Sequence, residues 1–120
     1  MTAIEAGHGE VRLYTKNGRA ILIHDSYGIT NSSFEIKDAA NKAMCTEIEA
    51  VIFCKNYNQA TYFISSLAER MRVHKIYLQT PHTDYEFAML VRIYEEAQKY
   101  GIPLYVGAEE QIPLYESSVS

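Results

Sequence analysis

The stretch from residue 50 to residue 106 decides the fold, and it begins with Ala50-Val51-Ile52-Phe53-Cys54. This run is apolar on both faces, which is typical of a central strand in a parallel sheet. Two further strand-like runs follow at residues 75–79 and 102–106, and a helical segment separates each run from the next. This alternation predicts parallel strands joined by right-handed crossovers. Pro103 cannot donate a ladder hydrogen bond, so the last strand is expected at a sheet edge.

Both helical segments are marked by the spacing of their apolar residues. In the first, apolar residues recur with helical periodicity at Ala60, Phe63, Ile64, Leu67, Ala68 and Met71. Asn58 is placed to cap this helix. The second segment begins at a capping box formed by Thr83 and Glu86, and Gly101 ends it. Its predicted core-facing residues are Phe87, Leu90, Val91, Tyr94 and Ala97.

The first half of the chain predicts a hairpin followed by one more strand. Residues 11–16 and 20–25 flank Asn17-Gly18, a pair that favours a two-residue hairpin turn. Alternation over residues 34–37 predicts a third strand with one exposed face. A short helix is then expected from Ala39 to about Glu47.

Together these segments predict a single α/β domain over residues 10–108. The predicted order is an N-terminal β-hairpin, a third strand and then βαβαβ. The sheet is expected to be mostly parallel, in a Rossmann-like arrangement of two or three layers. Residues 1–9 are expected to form a flexible arm, and residues 109–120 an acidic, frayed tail.

The composition argues against several classes of protein. The net charge of −4 over 120 residues is unlike a general nucleic-acid binder, which needs a basic surface to bind phosphates. A basic cluster over residues 70–75 is interpreted as a solvated helix end. No run approaches the ~18 apolar residues of a membrane span, and no signal-peptide pattern occurs, so a cytoplasmic location is expected. Cys45 and Cys54 lack zinc-site spacing, and no metal or cofactor is predicted.

The strand ends indicate where a ligand would bind. Ligands of open parallel sheets bind beyond the carboxyl ends of the strands, where helix N-termini offer free amides to anions. The candidate ligand-binding residues there are Asn56, Tyr57, Asn58, Thr80, His82, Thr83 and Asp84. No glycine-rich phosphate loop occurs. The leading hypothesis is therefore a non-catalytic binding module for a small anionic or nucleotide-like ligand, and the open alternative is that these residues only cap helices and shape turns.

An acidic residue and an E-x-K triplet fall on neighbouring predicted strands. Asp25 ends one strand, and Glu35 and Lys37 project to the same face of the next. This pattern resembles the PD-(D/E)xK nuclease family, although His24 stands where that family has a proline. The resemblance implies that Asp25 and Glu35 hold a divalent metal ion and that Lys37 orients the attacking water. A metal-dependent nuclease or phosphodiesterase is the alternative function.

Ten tyrosines and the second helix indicate an interface. Tyrosine is enriched where proteins meet, because its ring is apolar and its hydroxyl is polar. Beside its predicted core stripe, this helix carries a second apolar line formed by Tyr85, Met89 and Ile93. We expect a homodimer that uses this line. A protein-interaction domain, such as an inhibitor or adaptor, is the second alternative function.

Overall fold

The computed structural model describes residues 2–5, 10–16, 18–25, 32–55 and 59–119. These residues form seven strands and four helices. The elements are β1 (Thr2–Glu5), β2 (Glu10–Lys16), β3 (Arg19–Asp25), α1 (Ser32–Lys42), β4 (Glu47–Phe53), α2 (Ala60–Ala68), β5 (Arg72–Val73), β6 (Ile76–Leu78), α3 (Asp84–Lys99), β7 (Leu104–Val106) and α4 (Ala108–Val119). The radius of gyration is 13.1 Å, the value of one compact domain of this length.

The strands form one mostly parallel sheet in the order β1-β2-β3-β4-β6-β7, and the short β5 also pairs with β4. β1, β2 and β3 are antiparallel neighbours, whereas β3, β4, β6 and β7 are parallel. The predicted α/β class and the edge position of the last strand are therefore confirmed. The parallel strands follow one another in chain order without a reversal, and the Rossmann-like arrangement is not confirmed.

The core has two parts, one on each face of the sheet. On β4, Val51 and Phe53 belong to the larger part, which also contains residues of α1, α2 and α3. Ala50 and Ile52 belong to the smaller part, against which α4 packs with Ala108 and Ile112. Successive side chains of a strand point to opposite faces. The sheet is thus covered by three helices on one face and by α4 on the other.

The predicted hairpin is confirmed. β2 and β3 pair antiparallel from Glu10↔Asp25 to Lys16↔Arg19, which leaves a connection of two residues. Gly18 in this connection has φ +81°, a backbone conformation that side chains with a Cβ rarely adopt. Asn17 lies outside the described residues.

The predicted third strand over residues 34–37 is wrong, because this segment lies in α1. Ile36 and Ala40 are buried one helical turn apart against the sheet, and this burial outweighs a short alternating pattern. The helix predicted from Ala39 to Glu47 also ends earlier. Met44 has φ +62°, and the amide of Cys45 bonds to the carbonyl of Ala40 at 2.8 Å, which closes the helix.

Regular structure also occurs in both terminal segments that the sequence assigned to an arm and a tail. Thr2–Glu5 forms β1 and pairs with β2, so that the edge of the hairpin is covered. Ala108–Val119 forms α4, although Pro113 lies inside the helix. Ala108 is buried against the second face of the sheet. This burial stabilises the helix, although the segment lacks helical periodicity.

The apolar stripes of α3 agree with the prediction only in part, since Ala97 is buried and Leu90 packs against the core as predicted. Met89 and Ile93, assigned to an interface, are buried like Ala97. Phe87, Val91 and Tyr94 were assigned to the core, and they are exposed. Both sets have helical spacing, so the periodicity alone did not identify the set that faces the sheet. Of the predicted interface residues, only Tyr85 is exposed.

Candidate functional site

The parallel strands β3, β4, β6 and β7 end at one edge of the sheet, which we call the carboxyl edge. The helices α2, α3 and α4 begin beyond the ends of β4, β6 and β7. Thr80, His82, Thr83 and Asp84 follow β6 at this edge, as the sequence predicts. The predicted ligand-binding residues Asn56, Tyr57 and Asn58 lie outside the described residues. The N-cap residue of α2 is Gln59, which makes no side-chain capping bond.

The ends of β3 and β4 are joined by polar contacts. The Nζ of Lys55 lies 2.6 Å from Oδ1 of Asp25, and both side chains are partly exposed. The amide of Cys54 donates to the carbonyl of His24 at 2.9 Å, and Gln79 donates to the carbonyl of Cys54. A partly exposed ion pair contributes at most about 1 kcal/mol. It therefore orients Lys55 and Asp25 at the edge more than it stabilises the fold.

A carboxylate of α4 lies at the end of β6. The hydroxyl of Thr80 donates to Oε1 of Glu109 at 2.6 Å, and the amide of Thr80 donates to Oε2 at 3.3 Å. The hydroxyl bond is the main cause that lowers the pKa of Glu109. A ligand anion at Thr80 would therefore meet a negative charge that already uses the same donors.

Side chains at the start of α3 also accept hydrogen bonds from nearby amides. The amide of Glu86 donates to Oγ1 of Thr83 at 3.1 Å, which confirms Thr83 as the N-cap. The Glu86 carboxylate accepts a hydrogen bond from the amide of His82 at 2.9 Å. The predicted capping box instead pairs this carboxylate with the amide of Thr83, one residue later. Asp84 adds a second carboxylate to this turn. The imidazole of His82 is exposed beside them.

Burial determines the chemistry of Cys54. Desolvation, followed by the charge of Asp25, raises the pKa of its thiol to about 11, although the Arg12 guanidinium opposes this shift. The thiol is therefore protonated at neutral pH. A protonated thiol is a poor nucleophile and a poor metal ligand.

His24 is buried rather than available at the edge. Its ring lies 4.5 Å from the Phe63 ring and 5.3 Å from the Phe53 ring, between centroids. Only 1% of the residue is exposed, and this burial lowers its pKa to about 4. The imidazole is neutral at neutral pH. It packs in the core, whereas the neighbouring Asp25 reaches Lys55 at the edge.

The predicted nuclease residues do not have the strand geometry on which the resemblance to the PD-(D/E)xK family depends. Glu35 and Lys37 lie in α1 rather than on a strand, and both are exposed. Two residues apart on a helix, their side chains point about 200° apart. The shared face predicted for Glu35 and Lys37 is therefore wrong. Among the described residues, no three His, Cys, Asp or Glu side chains form a cluster that could hold a metal ion.

Two cavities lie at the opposite, amino edge of the sheet. One, of about 390 Å³, lies at the starts of β3 and β4, and the other, of about 640 Å³, lies below the ends of α2 and α3. His74 lines both, and its Nε2 lies 2.9 Å from Oε2 of Glu47. Arg19 pairs with Glu49 in the smaller cavity. Sequence reasoning missed these cavities, and the basic cluster at residues 70–75 was the only signal near them.

The exposed side of α3 carries three large apolar residues, which we call the outer stripe: Phe87, Val91 and Tyr94. Their exposed fractions are 58%, 38% and 44%. The spacing i, i+4 and i+7 places them on one side of the helix. The hydroxyl of Tyr94 accepts a bond from Gln98 at 2.6 Å, so the tyrosine keeps a polar partner while its ring faces water.

Comparison with known proteins assigns no family to this α/β domain. No family model matches the chain, and no curated protein matches it. Within the described residues, none of the helices has the length and apolar character needed to span a membrane.

Proposed function

We propose that the protein is a non-catalytic binding module that associates with another protein chain through the outer stripe of α3. The observation that carries this proposal is the exposure of Phe87, Val91 and Tyr94 on the side of a helix whose opposite side is already buried. Single exposed apolar residues are normal on a protein surface. Three on one side of a helix form a single apolar patch, and aromatic residues supply much of the binding energy of protein contacts.

Within the described part of the chain, the two groups with the largest pKa shifts support a non-catalytic role. Burial is the main cause of the shift at both His24 and Cys54. It leaves the imidazole neutral inside the core and the thiol protonated. Catalytic groups are instead placed in a cleft with a pKa matched to proton transfer or nucleophilic attack.

Site-specific photo-crosslinking in living cells tests this proposal. A benzophenone amino acid placed at Val91 is expected to give a discrete protein adduct. Adding Phe87→Glu and Tyr94→Glu to the same chain should remove the adduct, because charges would be buried in the contact. The matched control carries the crosslinker at Glu69, an exposed residue after α2. An adduct no stronger at position 91 than at position 69 would refute the proposal.

A small anionic or nucleotide-like ligand at the carboxyl edge is the second candidate function. It is favoured by Lys55 and the exposed imidazole of His82, which lie where three helices begin. The carboxylates of Glu86 and Glu109 compete for the same amides. This candidate thus requires the ligand to displace at least one of them.

Calorimetric titration with inorganic phosphate and with ATP tests the second candidate. The candidate requires that one of them binds, and that the double variant Lys55→Ala, His82→Ala lowers its affinity at least tenfold. Lys42→Ala is the matched control, since Lys42 is an exposed lysine at the end of α1. Equal affinity in both variants, or no binding at all, would exclude a site for these anions at the carboxyl edge.

A further inference from the structure

We infer that the partner of the outer stripe is a second copy of this chain, docked with the two α3 helices antiparallel about a twofold axis near Val91. The inference rests on the proposed function, since it names the partner of the same surface. An isologous contact of this kind uses one patch on both copies, so the patch must complement itself. The charges and the apolar residues of α3 both meet this requirement.

One pair of charges on α3 favours antiparallel over parallel contact. Its first turn is acidic, with Asp84 exposed, and its last turn carries the basic Lys99, beside the carboxylates of Glu95 and Glu96. An antiparallel pair places Asp84 of each copy near Lys99 of the other, whereas a parallel pair places like charges together. The Nζ of Lys99 is bonded to Glu96 at 3.0 Å, yet the side chain remains 69% exposed and within reach of a partner.

The outer stripe is centred on the helix. Val91 lies at the middle of α3, which runs from Asp84 to Lys99. A twofold axis beside Val91 brings the Phe87 of one copy opposite the Tyr94 of the other, so each ring covers the other. The apolar residues that face water in one copy are then covered by the same residues of its partner.

The area of the stripe determines the expected strength of the dimer. Taking about 200 Å² for a fully exposed aromatic side chain, the three residues expose on the order of 250 Å² per copy. Stable interfaces bury about 800 Å² per partner, so the outer stripe alone is too small for a stable dimer and the contact is expected to be weak. We therefore expect the dimer to form only at high protein concentration.

Sedimentation velocity of the purified chain over a series of increasing concentrations is the first part of the test. The wild type should shift from monomer to dimer, and Val91→Glu should remain monomeric over the whole range. Tyr62→Glu is the matched control, because Tyr62 is an exposed apolar residue on a different helix, α2. This variant should dimerise like the wild type. Circular dichroism confirms that each variant is folded.

A charge exchange tests the antiparallel geometry. Lys99→Glu and Asp84→Lys should each weaken self-association at least threefold, because each places like charges together at both ends of the helix pair. An equimolar mixture of the two variants should recover wild-type association, since every Asp84 then faces Lys99, and every Glu at position 99 faces a Lys at position 84. Native mass spectrometry of the isotopically labelled mixture should show the mixed dimer in excess over both homodimers.

A wild type that is monomeric at every concentration would overturn the inference, as would a dimer that Val91→Glu leaves intact. The proposed function fails separately. If the purified chain is monomeric but the crosslinker at position 91 yields an adduct with a different protein, the outer stripe binds a partner other than a second copy. If neither association occurs, both proposals are wrong.

Discussion

Acid should destabilise this protein through His24, and the size of the effect follows from its burial. Its folded-state pKa is about 4, against an ordinary value of 6.5. Between these values the unfolded chain binds a proton that the folded protein does not, so the free energy of unfolding falls as the pH falls. From about pH 7.5 to about pH 5, this single group removes about 2 kcal/mol.

The replacement His24→Leu should abolish this contribution, since leucine does not titrate and is similar in size. Urea unfolding, followed by circular dichroism at several pH values, measures it. The wild type should lose about 2 kcal/mol more than His24→Leu over the stated range. His82→Gln is the control, because His82 is exposed, and it should behave like the wild type. Parallel curves for the wild type and His24→Leu would refute the assignment of a buried, neutral imidazole.

Four further substitutions test the fold. Met89→Glu should unfold the protein or lower its free energy of unfolding by more than about 3 kcal/mol, because it buries a charge. Phe87→Glu should change that free energy by less than about 1 kcal/mol in the same urea experiment. Thr83→Ala should lower the free energy of unfolding by about 1 kcal/mol through loss of the N-cap, and no measurable loss would contradict the capping bond. Gly18→Ala should lower the free energy of unfolding by about 1 kcal/mol, because φ at this position is +81°. An unchanged thermal midpoint would argue against this turn conformation.

The sequence predicted the elements whose signals are local. The run from Ala50 to Phe53 is apolar on both faces because both faces of β4 are covered, and Thr83 caps α3 through atoms three residues apart. The turn at Gly18 is equally local. The cap and the turn depend on neighbouring residues in the chain, and the apolar run reflects burial from both sides. The local sequence pattern carries both kinds of information.

The errors concern choices that only tertiary packing makes. Apolar and polar residues alternate over residues 34–37 as they do in a strand. The segment is nevertheless helical, because Ile36 and Ala40 are buried together in the core. On α3, two stripes have the same period, and the contact with the sheet selects Met89 and Ile93.

The candidate site, like the fold, was predictable only where it depends on local sequence. Thr80 and Thr83 lie at the carboxyl edge as expected, because parallel strands end together. The carboxylate of Glu109 beside Thr80 was not predicted, since it depends on α4 folding back across the sheet. The two cavities at the amino edge likewise depend on how helix ends meet strand starts, which no local pattern encodes.

The position of α3 in the proposed dimer can be measured directly by electron paramagnetic resonance between spin labels. Labels attached at Ala88→Cys and, separately, at Gln98→Cys probe the two halves of the helix. Both native thiols have raised pKa values, and such thiols react slowly with the label. With helix axes about 9 Å apart and a rise of about 1.5 Å per residue, antiparallel contact near Val91 puts the Cα atoms of the two copies about 13 Å apart at position 88 and about 23 Å apart at position 98. A shorter distance at 88 than at 98 supports the account, and equal distances, or no coupling between copies, would contradict it.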